Sequence, residues 1–380
     1  MNGRLSIFGV ALIGLAAAFF MGNGLTAQEI QIKMEDGIPV VHNPKEPVPQ
    51  PGKPSGVTLQ KDLVLGGESE GQDYPFSLLS YLVIDDDENM IVLDNKESCI
   101  KIFDKSGKKI QQFGRKGEGP GEFQAPTTLT VIKGGQIGVI DPSNHRFSYF
   151  SHGGECQREL SLEKYFRISR VKADRRGFIY ADFFTVVDAQ KDIVYTVDLK
   201  KFDPDLKPVA TLGTFEQARK RSEVIMVEKR FGFDPRNDNC VVWGINDAYV
   251  LNVVSPEGKT IRRVVKDYDS VEVTEGDRQK MIKDTFGEQE VPNDISLNFP
   301  KNYPPFFNFG CDDECRMYVR TYQHDPQGNI FYDVFDSEGK CFTRFSLPED
   351  EMVFAIKKNK IYTVNRSDYP SITRYALKWE

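Results

Sequence analysis

The sequence predicts an all-β protein, a six-bladed β-propeller built from four-stranded antiparallel blades. Short strand patterns recur along the chain, and the equivalent positions Phe103, Phe150 and Phe202 are 47 and 52 residues apart. This spacing is typical of propeller blades. Asp-x-x-Gly turns return at matching places, and 27 phenylalanines and 15 tyrosines suit sheets that pack face to face.

The first 27 residues have the features of a signal peptide. Arg4 precedes an apolar run, Leu5–Met21, and Ala27 ends a stretch of small residues where cleavage would occur. The sequence therefore predicts export to the periplasm or the extracellular space, with no membrane span in the mature chain. Retention of the apolar run as an N-terminal anchor is the alternative.

Residues 28–55 are predicted to be an extended, proline-rich leader. Glu29–Asn43 has the pattern of a hairpin that turns at Glu35-Asp36-Gly37, and six prolines lie between Pro39 and Pro54. Such a density of proline predicts a semi-rigid linker. The propeller itself is expected to occupy residues 56–380.

The first two blades can be placed strand by strand, and two long insertions follow later in the chain. The predicted strands are Tyr81–Ile84, Ile91–Asp94, Cys99–Asp104 and Lys109–Phe113, then Thr128–Ile132, Ile137–Asp141, Arg146–Phe150 and Cys156–Leu160. Insertions are predicted at 217–239 and 266–305, with a helix beginning at Thr274.

The sixth copy of the repeat lacks its outer strand. It contains Met352–Ile356, Lys360–Val364 and Ile372–Leu377, and the sequence then stops. The alternating segment Thr58–Leu65 precedes the first blade and belongs to no blade of its own. Because an unpaired edge strand invites aggregation, we expect this N-terminal strand to complete the last blade and close the ring.

Several motifs resemble those of a known family. Asn144–Phe150 reads Asn-x-Arg-aromatic followed by Tyr-Phe, and Phe113–Phe123 reads F-G-R-K-G-E-G-P-G-E-F. Together with the Asp-x-x-Gly turns, they resemble NHL-repeat six-bladed propellers, in particular a family of exported bacterial proteins that also has an E-D-G-I-P-V-V-H-N-P leader. The resemblance implies the same fold from about Glu35 onward.

Antiparallel blades place the turn after each second strand and the links between blades on one face, which we call the upper rim. Binding sites tend to occupy variable loops over a rigid scaffold, so this rim is the predicted ligand site. Its candidate residues are Asp94, Asn95, Arg115, Lys116, Asp141, Asn144, Asp247, Arg320, Tyr322 and Arg366.

Two of these groups have alternative interpretations. The glycine-rich loop Phe113–Phe123, with Arg115 and Lys116, could hold an anion, or its glycines could serve only to form the turn between blades. The aspartates that follow the second strands could cap backbone amides. Alternatively, Asp94, Asp141 and Asp247 could converge on the axis and bind a divalent cation such as Ca²⁺.

Composition excludes some functions and leaves others open. The net charge of −7 argues against a nucleic-acid partner. Four histidines in separate segments and the lack of a Gly-x-Ser-x-Gly motif leave no evident catalytic group, although Cys311 and Cys315 are close enough in sequence to pair. The sequence therefore favours an exported, monomeric, non-catalytic propeller without a cofactor, which binds a protein, peptide or carbohydrate through its upper rim. The alternative is a metal-assisted, lactonase-like hydrolase or lyase with a carboxylate-lined central site.

Overall fold

The computed structural model describes residues 29–68, 75–163, 168–188, 192–220 and 222–380. The predicted signal peptide lies outside these residues. Six antiparallel sheets are arranged in a ring, as predicted. In order along the chain, the strands before and within the first two blades are β1 (Gln31–Glu35), β2 (Ile38–Asn43), β3 (Val57–Gly66), β4 (Leu79–Ile84), β5 (Met90–Asp94), β6 (Cys99–Phe103), β7 (Lys109–Phe113), β8 (Thr128–Ile132), β9 (Gln136–Asp141), β10 (Arg146–Phe150) and β11 (Cys156–Ser161).

The remaining elements form blades three to six and the excursions between them. They are β12 (Ile168–Ala173), β13 (Ile179–Asp188), β14 (Asp192–Phe202), β15 (Pro208–Lys220), β16 (Glu223–Ile225), β17 (Phe231–Pro235), β18 (Val241–Ile245), β19 (Val250–Val254), β20 (Thr260–Lys266), α1 (Glu275–Phe286), β21 (Ser296–Asn298), β22 (Asn308–Cys311), β23 (Met317–His324), β24 (Ile330–Phe335), β25 (Cys341–Leu347), β26 (Met352–Lys357), β27 (Lys360–Asn365) and β28 (Ser371–Trp379).

Burial follows the position of a strand within its blade. All five residues of β5 and of β6 are buried, because these strands have neighbouring blades on both faces, whereas the outer strand β7 is largely exposed.

The turn that leads into an outer strand is stabilised by an aspartate side chain and a glycine, as the first blade shows. Asp104 accepts hydrogen bonds from the amides of Ser106 and Lys108, and Gly107 takes a φ of 87° that an L residue rarely adopts.

The N-terminal strand closes the ring. β3 pairs antiparallel with β28, with Leu65 opposite Ile372 and Val57 opposite Trp379. This confirms the predicted closure, and β3 extends the predicted segment at both ends. Since β28 would otherwise have a bare edge, β3 supplies the fourth strand of the sixth blade.

The leader is more closely attached than a free linker would be. The predicted hairpin is present as β1 and β2, but β2 also pairs in parallel with β20 and extends the fourth blade to six strands. Val40 and Val41 are each 1% exposed. The edge of β20 offers backbone groups that β2 satisfies, and this contact between distant parts of the chain leaves no local sequence pattern.

Both intervals that were predicted to be insertions contain regular secondary structure. The interval 217–239 is not a single insertion, because β15 continues to Lys220 and β17 is the innermost strand of the fourth blade. The second excursion contains α1, whose N-cap is Thr274 as predicted. Parallel pairing of β16 with β21 joins the two excursions on the upper rim.

Candidate functional site: the central channel and its upper mouth

A cavity of about 930 Å³ lies inside the ring. It is lined by the innermost strand of every blade, namely β4, β8, β12, β17, β22 and β26. These strands all begin at the upper rim and end at the opposite face, which we call the lower rim. Residues at the start of each inner strand therefore surround the upper mouth of the channel.

Arginines and phenylalanines form stacked pairs around the upper mouth. Each of three arginines there lies over a phenylalanine ring, with the guanidinium carbon 4.4 to 5.6 Å from the ring centroid. The pairs are Arg170 with Phe233, Arg230 with Phe307 and Arg366 with Phe354. Such stacking holds a guanidinium in a defined plane and leaves its N–H edge available to a ligand.

Polar side chains in or directly after the second strands hold the backbone amides of two of these arginines. Asp182 accepts a hydrogen bond from the Arg170 amide at 2.7 Å, and Asn246 accepts one from the Arg230 amide at 2.6 Å. The Asp182 carboxylate also pairs with the Arg170 guanidinium at 2.6 Å. These side chains thus hold the upper ends of β12 and β17 in place.

Arg230 and Arg366 differ from Arg170 in having no carboxylate partner. Within the described ranges, no Asp or Glu oxygen lies at ion-pair distance from either guanidinium, and both residues are exposed at the mouth. Arg366 donates a side-chain hydrogen bond to the Ser80 carbonyl and, among the described residues, to no other acceptor. Two uncompensated positive charges therefore face the entrance of the channel.

A second layer of side chains supports Phe307 from the fifth blade. The Arg320 guanidinium carbon lies 5.0 Å from the Phe307 centroid, and Tyr322 packs edge-on against the same ring at 6.0 Å. Tyr303 stacks on Tyr322 at 4.5 Å. Burial raises the pKa of Tyr322 although Arg230 and Arg320 oppose the shift, so this phenol is neutral.

Midway along the channel, three blades meet at one carboxylate. Asp234 pairs with the Lys172 ammonium at 2.9 Å and accepts the Cys311 amide at 2.8 Å. Burial disfavours the charged form of Lys172, but Asp234 outweighs it and the pKa of Lys172 is raised. Burial raises the pKa of the Cys311 thiol well above its usual range, so the thiol is protonated.

The lower mouth is bridged by charged side chains. Asp313 pairs with Arg175 at 3.2 Å and accepts the Lys358 amide at 2.9 Å, while its carbonyl accepts a hydrogen bond from Asn237. These contacts join blades three, four, five and six. Lys357 pairs with Asp86 at 2.8 Å and adds blade one to the network.

The buried aspartates of the first two blades cap backbone amides. Asp94 accepts the amides of Ser77 and Leu78, and Asp141 accepts those of Gln124 and Ala125 at 2.7 and 3.1 Å. Both carboxylates are almost fully buried and neither lines the cavity. This arrangement matches the capping interpretation.

The carboxylates do not converge on the axis, which corrects the basis of the divalent-cation alternative. Asp247 is exposed and pairs with Lys229 at 3.3 Å. Across the described part of the chain, no three His, Cys, Asp or Glu residues are placed to hold a metal ion. Asp94, Asp141 and Asp247 are therefore not a set of ligands around one centre.

The glycine-rich loop uses its polar groups internally. The Gly117 amide donates to the Phe123 carbonyl, the Gly119 amide donates to the Glu122 carboxylate, and Glu122 also pairs with Arg115 at 2.7 Å. Phe123 is 1% exposed and packs on Phe150. The loop is thus a joint between the first two blades, and the amides of Gly117 and Gly119 already have partners within it.

The Asn-x-Arg motif holds this loop in place. Asn144 donates to the carbonyl of Gly117 at 3.0 Å, and Arg146 donates to the carbonyls of Gly119 and Glu122 at 2.8 and 2.7 Å. Asn144 therefore acts within the blade rather than towards the channel.

Of the ten predicted rim residues, Arg366 lines the channel, and Arg320 and Tyr322 contact Phe307 behind it. Asn95 is half-buried with its Oδ1 unpaired, and Lys116 and Arg115 are exposed on the joint between the first two blades. The predicted candidate residues did not include Arg170, Lys172, Arg230 or Phe307, which line the cavity. Arg230 fell inside a predicted insertion, so its place at the start of an inner strand was hidden.

The described chain is similar to known six-bladed propellers. A family model described as a six-bladed β-propeller matches residues 76–255. A solved Bacteroides fragilis structure, named as a candidate for export, has a TM-score of 0.53 at 10% identity and covers 90% of this chain and 99% of its own. A Bacteroides vulgatus protein of the DUF4221 family has a TM-score of 0.52 at 13% identity, covering 86% and 100%.

These comparisons define the class of protein. The chain is a six-bladed β-propeller, which confirms the fold and the resemblance noted in its motifs. Identities of 10% and 13% establish the fold alone. No curated protein matches the chain. None of the helices in the described residues is long and apolar enough to cross a membrane.

Proposed function

We propose that this protein is an exported propeller that binds a ligand in its central channel through the upper rim, without catalysing a reaction on it. The observation that carries the proposal is the cavity of about 930 Å³. Its upper mouth carries exposed arginines over aromatic rings, whereas ion pairs bridge its lower mouth. A pocket of this size, lined by aromatic and aliphatic side chains together with charged groups, suits a small organic molecule.

The chemistry of the lining supports binding rather than catalysis. The described residues around the cavity include no histidine, serine or glutamate. The four carboxylates among them, on Asp86, Asp174, Asp234 and Asp313, each pair with a lysine or arginine. Carboxylates in ion pairs are poor general acids, and the protonated Cys311 thiol is a poor nucleophile.

Export is supported by the N-terminal sequence. Arg4, the apolar run Leu5–Met21 and Ala27 have the order of a cleavable signal. The similar Bacteroides fragilis structure is also named as a candidate for export.

The experiment has two stages. The mature chain, from residue 28, is screened by thermal shift against sugars, amino acids, short peptides and organic acids, and the strongest stabiliser is then crystallised with the protein. We expect density for the compound between Phe307 and Lys172, and recovery of the compound unchanged after incubation. A compound bound outside the channel would contradict the proposed site, and formation of a product would contradict the absence of catalysis.

A variant pair tests the same site in solution. Phe307→Ala removes the ring that contacts Arg230 and Arg320, so we expect weaker binding of the selected compound by about tenfold, which corresponds to 1.4 kcal/mol. Phe299→Ala, on the excursion near Arg278, is the matched control and should bind as the wild type does.

A further inference from the structure

We infer that the ligand is an organic anion that binds at the upper mouth of the channel, where Arg230 and Arg366 supply positive charge. This inference rests on the proposed binding function and adds the chemical class of the ligand. The group recognised is a carboxylate or a phosphate monoester on a small molecule.

The first argument is the charge of the channel. The whole chain carries a net charge of −7, yet the described residues lining the cavity include nine basic and four acidic side chains. Each of the four acidic groups already has a basic partner, so the excess is positive. A cleft lined by one sign of charge with low-dielectric walls concentrates ions of the opposite sign.

The second argument is the state of the two arginines. Most described arginines pair with an Asp or Glu side chain, as Arg170 does with Asp182. Arg230 forms no side-chain hydrogen bond with any described residue, and Arg366 donates only to the Ser80 carbonyl. A guanidinium that is oriented on an aromatic ring and lacks a carboxylate partner is suited to binding a carboxylate or phosphate.

The third argument concerns the size and polarity of the rest of the site. The cavity of about 930 Å³ is far larger than an inorganic anion. Besides the arginines, the aromatic rings of Phe307 and Phe354 line the cavity, and Lys172 and Asp234 place a donor and an acceptor deeper in the channel. This combination fits an organic molecule with an acidic end at the mouth and hydroxyl or amide groups inside.

The test compares anions with neutral partners of the same shape. Calorimetry on the mature chain would use glucuronate against glucose, citrate against trimethyl citrate, glucose 6-phosphate against glucose, and inorganic phosphate alone. We expect an organic anion to bind more tightly than its neutral partner, because the channel is positively charged. Its affinity should fall as the sodium chloride concentration rises, because salt screens this attraction.

Variants assign the effect to the two arginines. Arg230→Ala and Arg366→Ala should each weaken anion binding at least tenfold, and Arg230→Lys should restore part of the affinity because it retains the charge. Arg115→Ala is the control, since Arg115 is an upper-rim arginine outside the channel that pairs with Glu122. Circular dichroism and unfolding midpoints confirm that each variant is folded.

The outcomes separate this inference from the proposed function. A neutral compound that binds in the channel as tightly as its anionic partner overturns the anion inference and leaves channel binding intact. Inorganic phosphate binding as tightly as every organic anion also overturns it. The anion inference also fails if none of the probes binds while a neutral compound from the thermal-shift screen does. If a bound anion lies outside the channel, both proposals fail.

Discussion

Asn43 of the leader accepts a hydrogen bond from the Cys341 amide of the fifth blade at 2.7 Å, across 298 residues of sequence. The amide group of the same side chain donates to the carbonyls of Gly339 and Val265 at 2.9 and 3.1 Å. Asn43 is 2% exposed, so one buried side chain joins the leader to the outer edges of blades four and five.

The first prediction concerns this contact. Asn43→Ala leaves the Cys341 amide and the Gly339 carbonyl without their partners, and an unsatisfied buried polar group costs about 1–3 kcal/mol. We expect the free energy of unfolding in urea to fall by about 2–3 kcal/mol. Lys33→Ala, on the exposed strand β1, is the control. A loss no larger for Asn43→Ala than for the control would mean that the leader is not attached in this way.

The first two blades could be predicted nearly completely from the sequence, and the reason is local. Their turns contain aspartate and glycine at fixed places, and their strands are short and mostly apolar, so β10 has the predicted bounds. The third blade contains the long strand β15, whose C-terminal end is polar in sequence and resembles a loop. Because of that similarity, the first insertion was predicted where strands are present, and Arg230 was not recognised as a residue at the start of an inner strand.

The channel residues could not be predicted because they depend on how blades are arranged around the axis. Asp94 and Asp141 follow second strands and looked suitable for a central cation, but each faces the amides of its own blade. The pairing of β2 with β20 is likewise a contact between distant segments. Neither relationship has a short sequence signature.

The second prediction separates a structural arginine from an exposed one on the same loop. Arg146→Ala removes the donors to the carbonyls of Gly119 and Glu122. Hydrogen bonds from charged donors contribute about 1.5–3 kcal/mol, so we expect a loss of that size in urea unfolding. Arg115→Ala should change stability by less than about 0.5 kcal/mol, because Arg115 is exposed. Equal losses for the two variants would contradict the role of Arg146 in holding the loop.

The third prediction is a pH dependence. Hydrogen bonds from Ser346 and Asn329, together with the amides of Asn329 and Gln327, lower the pKa of Asp325 to about 2. Because the folded-state pKa is below the unfolded value of 3.8, the contribution of Asp325 to stability is present above pH 4 and is lost as the pH falls towards 2. Asp325→Asn should therefore flatten the dependence of the unfolding free energy on pH between 2 and 4.

The control for this pH dependence is Asp284→Asn, an exposed change on α1. It should reproduce the wild-type slope when unfolding is followed in urea at several pH values. A wild-type slope in Asp325→Asn would show that the carboxylate is not the group responsible.

The fourth prediction concerns the lower mouth. Asp313→Ala removes the group that Arg175 and the Lys358 amide share, so water and small reagents should enter the channel from below. We expect N-ethylmaleimide to modify Cys311 several times faster, as measured by peptide mass spectrometry. Asp205→Ala, which breaks the exposed pair with Arg158, is the control. An unchanged rate in Asp313→Ala would mean that the network does not restrict access.

The fifth prediction tests closure of the ring by comparing two deletions of the mature chain. Removal of residues 28–55 eliminates the leader but keeps β3, so the protein should remain folded with a lower unfolding midpoint. Removal of residues 28–67 also deletes β3 and exposes the edge of β28 together with the apolar side chains that Leu63 and Leu65 cover. An uncovered edge strand and an open hydrophobic face favour association between molecules.

We therefore expect the longer deletion to unfold without cooperativity or to aggregate in size-exclusion chromatography. If both deletions remained monomeric with similar unfolding midpoints, β3 would not be the strand that stabilises the closed ring.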